Sequence, residues 1–111
     1  MLFVYSWDPG EITRAETLFF VATTARAMGL DVAIFCFADG VMLGKKGIVE
    51  KISDKAALGM LDAMSTGVKI YLCSTAVKTK GIENDLIDGV ELVGYATFLE
   101  MALNAKTVIT I

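Results

Sequence analysis

The chain has 111 residues, of which 55% are hydrophobic, and it carries a formal net charge of −3 and no histidine. This length predicts a single domain, which buries roughly two thirds of the surface of the unfolded chain. The acidic balance and the scattered basic residues exclude the basic stripe of a nucleic-acid-binding protein, and the lack of histidine excludes imidazole-activated nucleophiles and His-ligated zinc.

Export and membrane insertion are not expected either. The N-terminal residues lack the basic region of a signal peptide, and no stretch reaches the ~18 consecutive apolar residues of a membrane span. Two cysteines, Cys36 and Cys73, provide neither a disulfide framework nor four thiolate ligands for zinc. We therefore expect a cytoplasmic protein without a metal or other cofactor.

Five short runs rich in Val, Ile and aromatic residues predict strands at 2–6, 31–37, 68–73, 91–93 and 107–111. They are nearly continuous rather than alternating, which is typical of parallel strands covered on both faces. Helices are predicted between the strands at 13–28, 54–66 and 95–103, with a short helix before the fourth strand. This order predicts right-handed crossovers in a three-layer α/β/α domain, with a mostly parallel five-stranded sheet spanning residues 1–111.

The first helix, at 13–28, carries signals for both of its ends and for its buried face. Thr13 and Glu16 have the spacing of a capping box, and Gly29 supplies a stop. One apolar stripe is predicted to face the core: Ala15, Leu18, Phe19, Ala22 and Ala25. Because the hydrophobic fraction exceeds the ~45–50% of ordinary soluble domains, we expect apolar surface that is covered by self-association.

Candidate functional residues gather in the loops that follow the first three strands. In open α/β sheets, ligands bind at the carboxyl ends of the strands. These loops contain a cysteine, small hydroxyl residues, lysines, an Asp-Gly pair and a tryptophan: Cys73, Ser74, Thr75, Lys78, Lys80, Asp39, Gly40 and Trp7. A turn alone explains the Asp39-Gly40 pair, and an ordinary strand-to-helix turn explains the hydroxyl residues equally well.

The residues alone leave two interpretations of Cys73 open. Free cysteines are among the most buried residues, so Cys73 can be a packing residue. A strand end followed by Lys78 and Lys80 can instead hold a reactive thiolate. Cys36 lies inside its strand and is expected to belong to the core.

Three segments resemble the DsrE/DsrF-like family of small sulfur-relay proteins, which includes the TusD-type subunits. They are "AIFCFADGV", "VKIYLCSTAVKTKGI" and "GYATFLEMALNAKTVITI", and the resemblance extends over essentially the whole chain. It implies a DsrEFH-like fold of the flavodoxin or Rossmann type and assembly as trimers or hexamers. It further implies that Cys73 carries a persulfide received from a donor protein and passed to an acceptor protein, without direct contact with nucleic acid or membrane.

Two alternatives to a persulfide carrier remain open at this point. A non-catalytic module of the same fold would bind a small ligand or a partner protein, with Cys73 incidental. A thiol peroxidase would need a resolving cysteine, and the sequence places none in an obvious position. Accessibility of the Cys73 thiol separates the carrier from the module, because sulfur exchange requires an accessible thiolate.

Overall fold

The computed structural model describes residues 1–111. Five strands, β1 to β5, span Leu2–Tyr5, Ala33–Cys36, Lys69–Cys73, Val90–Val93 and Val108–Thr110. Five α-helices, α1 to α5, span Ile12–Ala27, Ile48–Ile52, Asp54–Ser65, Ser74–Lys80 and Tyr95–Asn104. A 3₁₀ segment, Ala38–Gly44, follows β2. No helix combines the length and the apolar character needed to cross a membrane.

The five strands form one sheet in the order β4-β3-β2-β1-β5, and all four pairings are parallel. The predicted α/β fold is confirmed, and the sheet is parallel throughout. Successive connections from β1 to β4 step in one direction, whereas the connection from β4 to β5 runs back across the sheet. Right-handed crossovers therefore place α1, α3 and α4 on one face and α5 on the other.

The strand register assigns side chains to these two faces. Phe35 of β2 pairs with Tyr71 of β3, and the Phe35 ring stacks on Phe98 of α5 with ring centroids 4.3 Å apart. Phe35 and its partner Tyr71 therefore face α5. Cys36 and its partner Leu72 point to the opposite face, toward α1 and α3, because neighbouring residues of a strand alternate.

Helix α1 buries the predicted stripe. Its five buried residues are Ala15, Leu18, Phe19, Ala22 and Ala25. On this side α3 approaches closely, since a side-chain carbon added at Gly59 would lie 3.1 Å from Phe19 Cβ. The 25 buried apolar residues form one continuous cluster.

The predicted capping box at the start of α1 is wrong. Helix α1 begins at Ile12, so Thr13 lies inside it, and no side chain caps its first turn. Glu16 instead accepts a 2.6 Å hydrogen bond from Ser53 Oγ. Ser53 Oγ in turn accepts a hydrogen bond from the Ala56 amide at the start of α3. The Glu16 side chain, which the spacing predicts as part of a cap, therefore bonds to a residue distant in the sequence instead.

The segment after β2 is helical, whereas the Asp39-Gly40 pair indicates only a turn. It contains the 3₁₀ segment, followed by α2, and Val41 and Leu43 lie in the core. Two glycines let this segment approach the sheet closely. A side-chain carbon at Gly40 would lie 2.5 Å from the Tyr5 carbonyl oxygen, and one at Gly44 would overlap the Leu72 side chain.

Candidate functional site

Cys73 stands where two elements meet at the carboxyl edge of the sheet. It is the last residue of β3 and directly precedes α4. Alternation along β3 places its side chain on the same face as Tyr71, which is the face that α5 covers. The residue is only 1% exposed. The carrier hypothesis requires an accessible thiol, whereas in this single chain the thiol is covered.

Tyr95, the first residue of α5, follows β4 at the same edge of the sheet as Cys73. Hydrogen bonding and charge interaction with Cys73 raise the pKa of the Tyr95 phenol above its ordinary value, and a hydrogen bond with Thr75 lowers it in part. The tyrosine is 57% exposed, in contrast to the cysteine. Sequence reasoning missed Tyr95, although its place directly after β4 at the same edge was a usable signal.

A pocket of about 330 Å³ opens beside Tyr95. Three of the predicted site residues line it, namely Asp39, Thr75 and Lys80. The remaining lining residues were not predicted and are Phe37, Ala38, Ala76, Thr79 and Tyr95. The pocket is therefore built from the loops after β2, β3 and β4, as expected for the carboxyl edge of a parallel sheet.

The lysines of the site have different surroundings. Lys80 Nζ lies 2.5 Å from Asp39 Oδ1, so its charge is paired across the pocket. Lys78 is exposed on α4 and does not line the pocket. Ser74, at the start of α4, also lies outside the lining. The predicted pair of free positive charges near Cys73 is thus reduced by the Asp39 carboxylate.

Trp7 and Gly40 lie outside the pocket lining. The Trp7 indole donates a 3.0 Å hydrogen bond to the Ile111 carbonyl, and the Arg14 guanidinium stacks 3.8 Å from its ring centroid. Gly40 is buried against the backbone of β1. Both residues therefore have structural partners of their own.

The walls of the pocket carry local strain and are braced against each other. Ala38 has φ +50°, an uncommon conformation for a residue with a side chain. The end of the 3₁₀ segment and the residues just after it are joined to the chain after α4 by two 2.9 Å backbone hydrogen bonds, from Lys46 N to Asp85 O and from Ile87 N to Gly44 O. The Asp39–Lys80 ion pair joins the 3₁₀ segment to the end of α4 at the pocket itself.

Cys36 has a different environment from Cys73. It is fully enclosed, and burial raises the pKa of its thiol to about 12. Its neighbour across the sheet, Tyr5, has a buried hydroxyl without a hydrogen-bond partner, and burial followed by the Cys36 charge raises the pKa of that phenol to about 12. Cys36 is thus a core residue.

Two further features bear on ligands. No group of three or more Cys, Asp or Glu side chains is placed to hold a metal ion. A second cavity, of about 340 Å³, lies at the opposite, amino-terminal edge of the sheet beside Tyr71 and Met101, and contains none of the predicted site residues.

The structure defines a parallel three-layer α/β protein with a covered cysteine and a pocket at the carboxyl edge of its sheet. The sequence profile of the DsrE/DsrF-like family matches residues 1–111, which is the whole chain. The chain belongs to the DsrE/DsrF-like family, whose members generally act in sulfur relay.

Two archaeal relatives are similar in sequence. An uncharacterized protein of Methanocaldococcus jannaschii is 38% identical over 95 residues, covering 81% of this chain and 34% of its own length. An uncharacterized protein of Methanopyrus kandleri is 37% identical over 91 residues, covering 80% of this chain and 74% of its own length. The chain thus spans about a third of the first relative and about three quarters of the second.

Solved structures share the fold. The YchN protein of E. coli has a TM-score of 0.78 at 26% identity, covering 99% of this chain and 97% of that one. A protein of unknown function from Methanobacterium thermoautotrophicum has a TM-score of 0.72 at 16% identity, with 99% and 96% covered. The second likeness concerns the fold alone.

Proposed function

We propose that this protein is a persulfide carrier that receives sulfur on Cys73 from a donor protein and passes it to an acceptor protein. The observation that carries the proposal is the position of Cys73 at the carboxyl end of β3, the edge of the sheet at which an open pocket lies. Family membership supports it, since the family generally acts in sulfur relay. Cys36 is unsuited to this role because it is fully enclosed.

The proposed transfer is a thiol exchange that needs no metal, nucleotide or histidine. The Cys73 thiolate attacks the outer sulfur of the donor persulfide, RS–SH. A sulfur–sulfur bond forms on Cys73 while the donor bond breaks, and the donor cysteine leaves as a thiolate. The products are Cys73–S–SH and RS⁻, so no oxidant or reductant is consumed. An acceptor thiolate removes the outer sulfur by the same step.

The positions of the two cysteines argue against a thiol peroxidase with an internal resolving cysteine. Cys36 points toward α1 and α3, whereas Cys73 points toward α5. A disulfide needs Cβ atoms about 3.5–4.5 Å apart with converging side chains, and these two side chains diverge across the sheet.

Assembly and location belong to the same proposal. Several large apolar side chains are exposed on three helices, namely Ile12, Phe20 and Val21 of α1, Leu58 and Leu61 of α3, and Tyr95, Leu99 and Leu103 of α5. Homo-oligomers bury such surface, and the family resemblance implies trimers or hexamers. We propose a cytoplasmic homo-oligomer whose partners are sulfur donor and acceptor proteins, without direct binding of nucleic acid or membrane. A sedimentation experiment at micromolar concentration that finds only the monomer would contradict the assembly.

The low exposure of Cys73 favours a second candidate function. A thiol that is 1% exposed can be a packing residue. The protein would then be a binding module that uses the pocket beside Tyr95 for a small ligand or a partner segment, with no sulfur on Cys73.

Incubation with a cysteine desulfurase and cysteine separates the two functions. The carrier gains one sulfur atom, which a thiol reductant removes and which peptide mass spectrometry locates on Cys73. Cys73→Ser abolishes the gain, and Cys36→Ala, the matched control, retains it. Sulfur on Cys36, or on neither cysteine with several persulfide donors, would establish the binding module instead.

A further inference from the structure

The face of the sheet that carries α5 is only partly covered. Neighbouring strands lie about 4.8 Å apart, so five strands span about 20 Å, whereas a helix with its side chains is about 10–12 Å wide. The opposite face carries three helices, and this face carries one. A strip of the sheet therefore stays open beside α5, and Lys69 of β3 and Glu91 of β4, which point to this face, are exposed.

The open strip contains the cavity of about 340 Å³ at the amino-terminal edge of the sheet. Leu2 and Ala33, which pair at the starts of β1 and β2, form its floor together with Tyr71 of β3. Met101 of α5 and Ala105, which follows this helix, form one wall. Because the backbone of the floor belongs to the β1–β2–β3 ladder, the cavity is present before any molecule binds.

One positive charge borders this apolar space without a partner. Lys69 has the only basic side chain in the lining, and it lies on the same face of β3 as Tyr71. The ion pairs of the chain use other basic residues, namely Arg26, Lys45 and Lys80. A carboxylate at this place would therefore meet a cation whose charge is not yet compensated.

The acidic residue of the lining does not compensate Lys69. Asp31 is the only acidic residue there, and its side chain is fully exposed to solvent. Its carboxylate lies 3.7 Å from the Arg26 guanidinium and so already has a basic partner. The Asn104 side chain, in the last turn of α5, also lines the cavity and adds an N–H donor for an anion.

The size of the apolar region indicates a small molecule rather than a second copy of the chain. A volume of 340 Å³ lies within the range of about 300–1,000 Å³ that is usual for ligand pockets. Charged, exposed side chains border the cavity, with Glu91 beyond Lys69 on the sheet and Lys106 beyond Ala105. The cores of protein–protein interfaces are depleted in such charges.

We propose that this cavity binds an aromatic monocarboxylate of one or two rings, with the ring against Tyr71 and Met101 and the carboxylate at Lys69. Aromatic rings pack favourably against other rings and against the sulfur of methionine. An ammonium group and an amide N–H are suitable donors to a carboxylate, and the bond from the ammonium group is charge-assisted. The site is independent of the proposed sulfur transfer, because it lies at the edge of the sheet opposite Cys73.

An NMR titration of the ¹⁵N-labelled chain with naphthalene-2-carboxylate tests the site. We expect saturable chemical-shift changes at residues 32–33, 69–71 and 101–105, with a Kd of about 0.1–1 mM for a ligand of this size. The neutral alcohol 2-naphthylmethanol has the same rings and no charge, so it binds about 3–5-fold more weakly.

Three variants separate the charge from the cavity. Lys69→Met keeps the apolar part of the side chain and removes the charge, so the affinity for naphthalene-2-carboxylate falls about 3–5-fold, to that of the alcohol. Ala33→Leu fills the floor and abolishes saturable binding; if it fails to fold, Ala105→Leu fills the cavity from its rim. Lys55→Met is the matched control, because Lys55 is an exposed lysine of α3 on the other face, and it leaves the affinity unchanged.

Equal affinity for the acid and the alcohol, or an unchanged affinity in Lys69→Met, overturns the recognition of a carboxylate. Shift changes that centre on the pocket beside Asp39 and Lys80, or none up to about 10 mM ligand, overturn the site itself. Saturable binding of decanoate without binding of naphthalene-2-carboxylate overturns the aromatic class. None of these measurements involves sulfur on Cys73, so a failure of the carrier function leaves their result unaffected.

Discussion

The two cysteines are equally hidden by area, at 1% exposure each, but they are hidden by different parts of the molecule. Cys36 lies on the face of the sheet that α1 and α3 cover, and its thiol is fully enclosed. Cys73 lies on the other face, at the carboxyl end of β3, and α5, which covers this face, has no fully buried residue. Exposed area alone therefore does not distinguish a cysteine in the middle of the core from a cysteine at the carboxyl edge of the sheet. We expect the two cysteines to differ in the free energy that is needed to expose the thiol to solvent.

The largest expected difference is in native-state alkylation. Cys36 reacts only when the core opens, which in a stable domain costs several kcal/mol, whereas Cys73 needs a local movement. We expect Cys73 to react at least about 100-fold faster in the folded protein. Peptide-resolved kinetics at rising urea check this, since below the unfolding transition only the Cys36 rate should increase with urea. Equal rates for the two thiols would remove the distinction.

The packed and open regions should also differ in their tolerance of a methyl group. Gly40→Ala places a carbon 2.5 Å from a backbone oxygen of β1, so we expect a loss of about 1–3 kcal/mol in the free energy of unfolding. Gly94→Ala, which meets no atom but places a poorer N-cap residue at the start of α5, should cost less, about 0.5–1 kcal/mol. Urea denaturation of both variants measures the two losses in the free energy of unfolding. A cost at Gly94 equal to that at Gly40 would show that the start of α5 is not loosely packed.

Alkaline pH should destabilise the protein through Cys36. Burial raises the pKa of this thiol from its ordinary 9.0 to about 12. Between these values the unfolded state loses the proton and the folded state keeps it, so stability is full below pH 9 and falls by about 1.4 kcal/mol per pH unit up to pH 12. At pH 10, one unit above the ordinary pKa, the loss is about 1.4 kcal/mol. Urea unfolding at pH 8 and pH 10 should show a smaller loss in Cys36→Ala, and an identical loss in both proteins would exclude Cys36 as its source.

The smallest effect concerns the charges near Cys73. Lys80→Met leaves Asp39 without its partner and should slow Cys73 alkylation by less than about threefold, because the pair is partly exposed. Asp39→Asn in the same protein should restore the rate. Lys78→Met, which changes an exposed lysine outside the pocket, should have no effect. A larger effect from Lys78 than from Lys80 would assign the role of the electrostatic partner to Lys78.

The periodic parts of the sequence predict most of the fold. Each of the five strands and the helices at 13–28, 54–66 and 95–103 lies within three residues of its predicted bounds, because continuous apolar runs and helical stripes report burial directly. The sequence pattern does not predict the helical segments within 38–52, because the 3₁₀ segment depends on the close approach of Gly40 and Gly44 to the sheet. Such contacts are tertiary and leave no periodic signal.

The candidate site was predicted less completely than the fold. The topological rule assigns Asp39, Thr75 and Lys80 to one edge of the sheet, and these three residues line one pocket there, while their role in a site stays a prediction. It missed Tyr95, because the loop after β4 was not included among the loops of that edge. Trp7 was included, although its indole is bonded to the Ile111 carbonyl. Which side chains share a pocket depends on the strand order, and the sequence does not determine that order.

The double connection between the 3₁₀ segment and the chain after α4 has a mechanical consequence. Asp39 and Lys80 join the two segments at the pocket, and backbone hydrogen bonds between residues 44–46 and 85–87 join them again away from it. A bound molecule that spreads the two segments must therefore break contacts at both places. We expect adjustment to the size of a bound molecule on the α5 side, where no residue is fully buried.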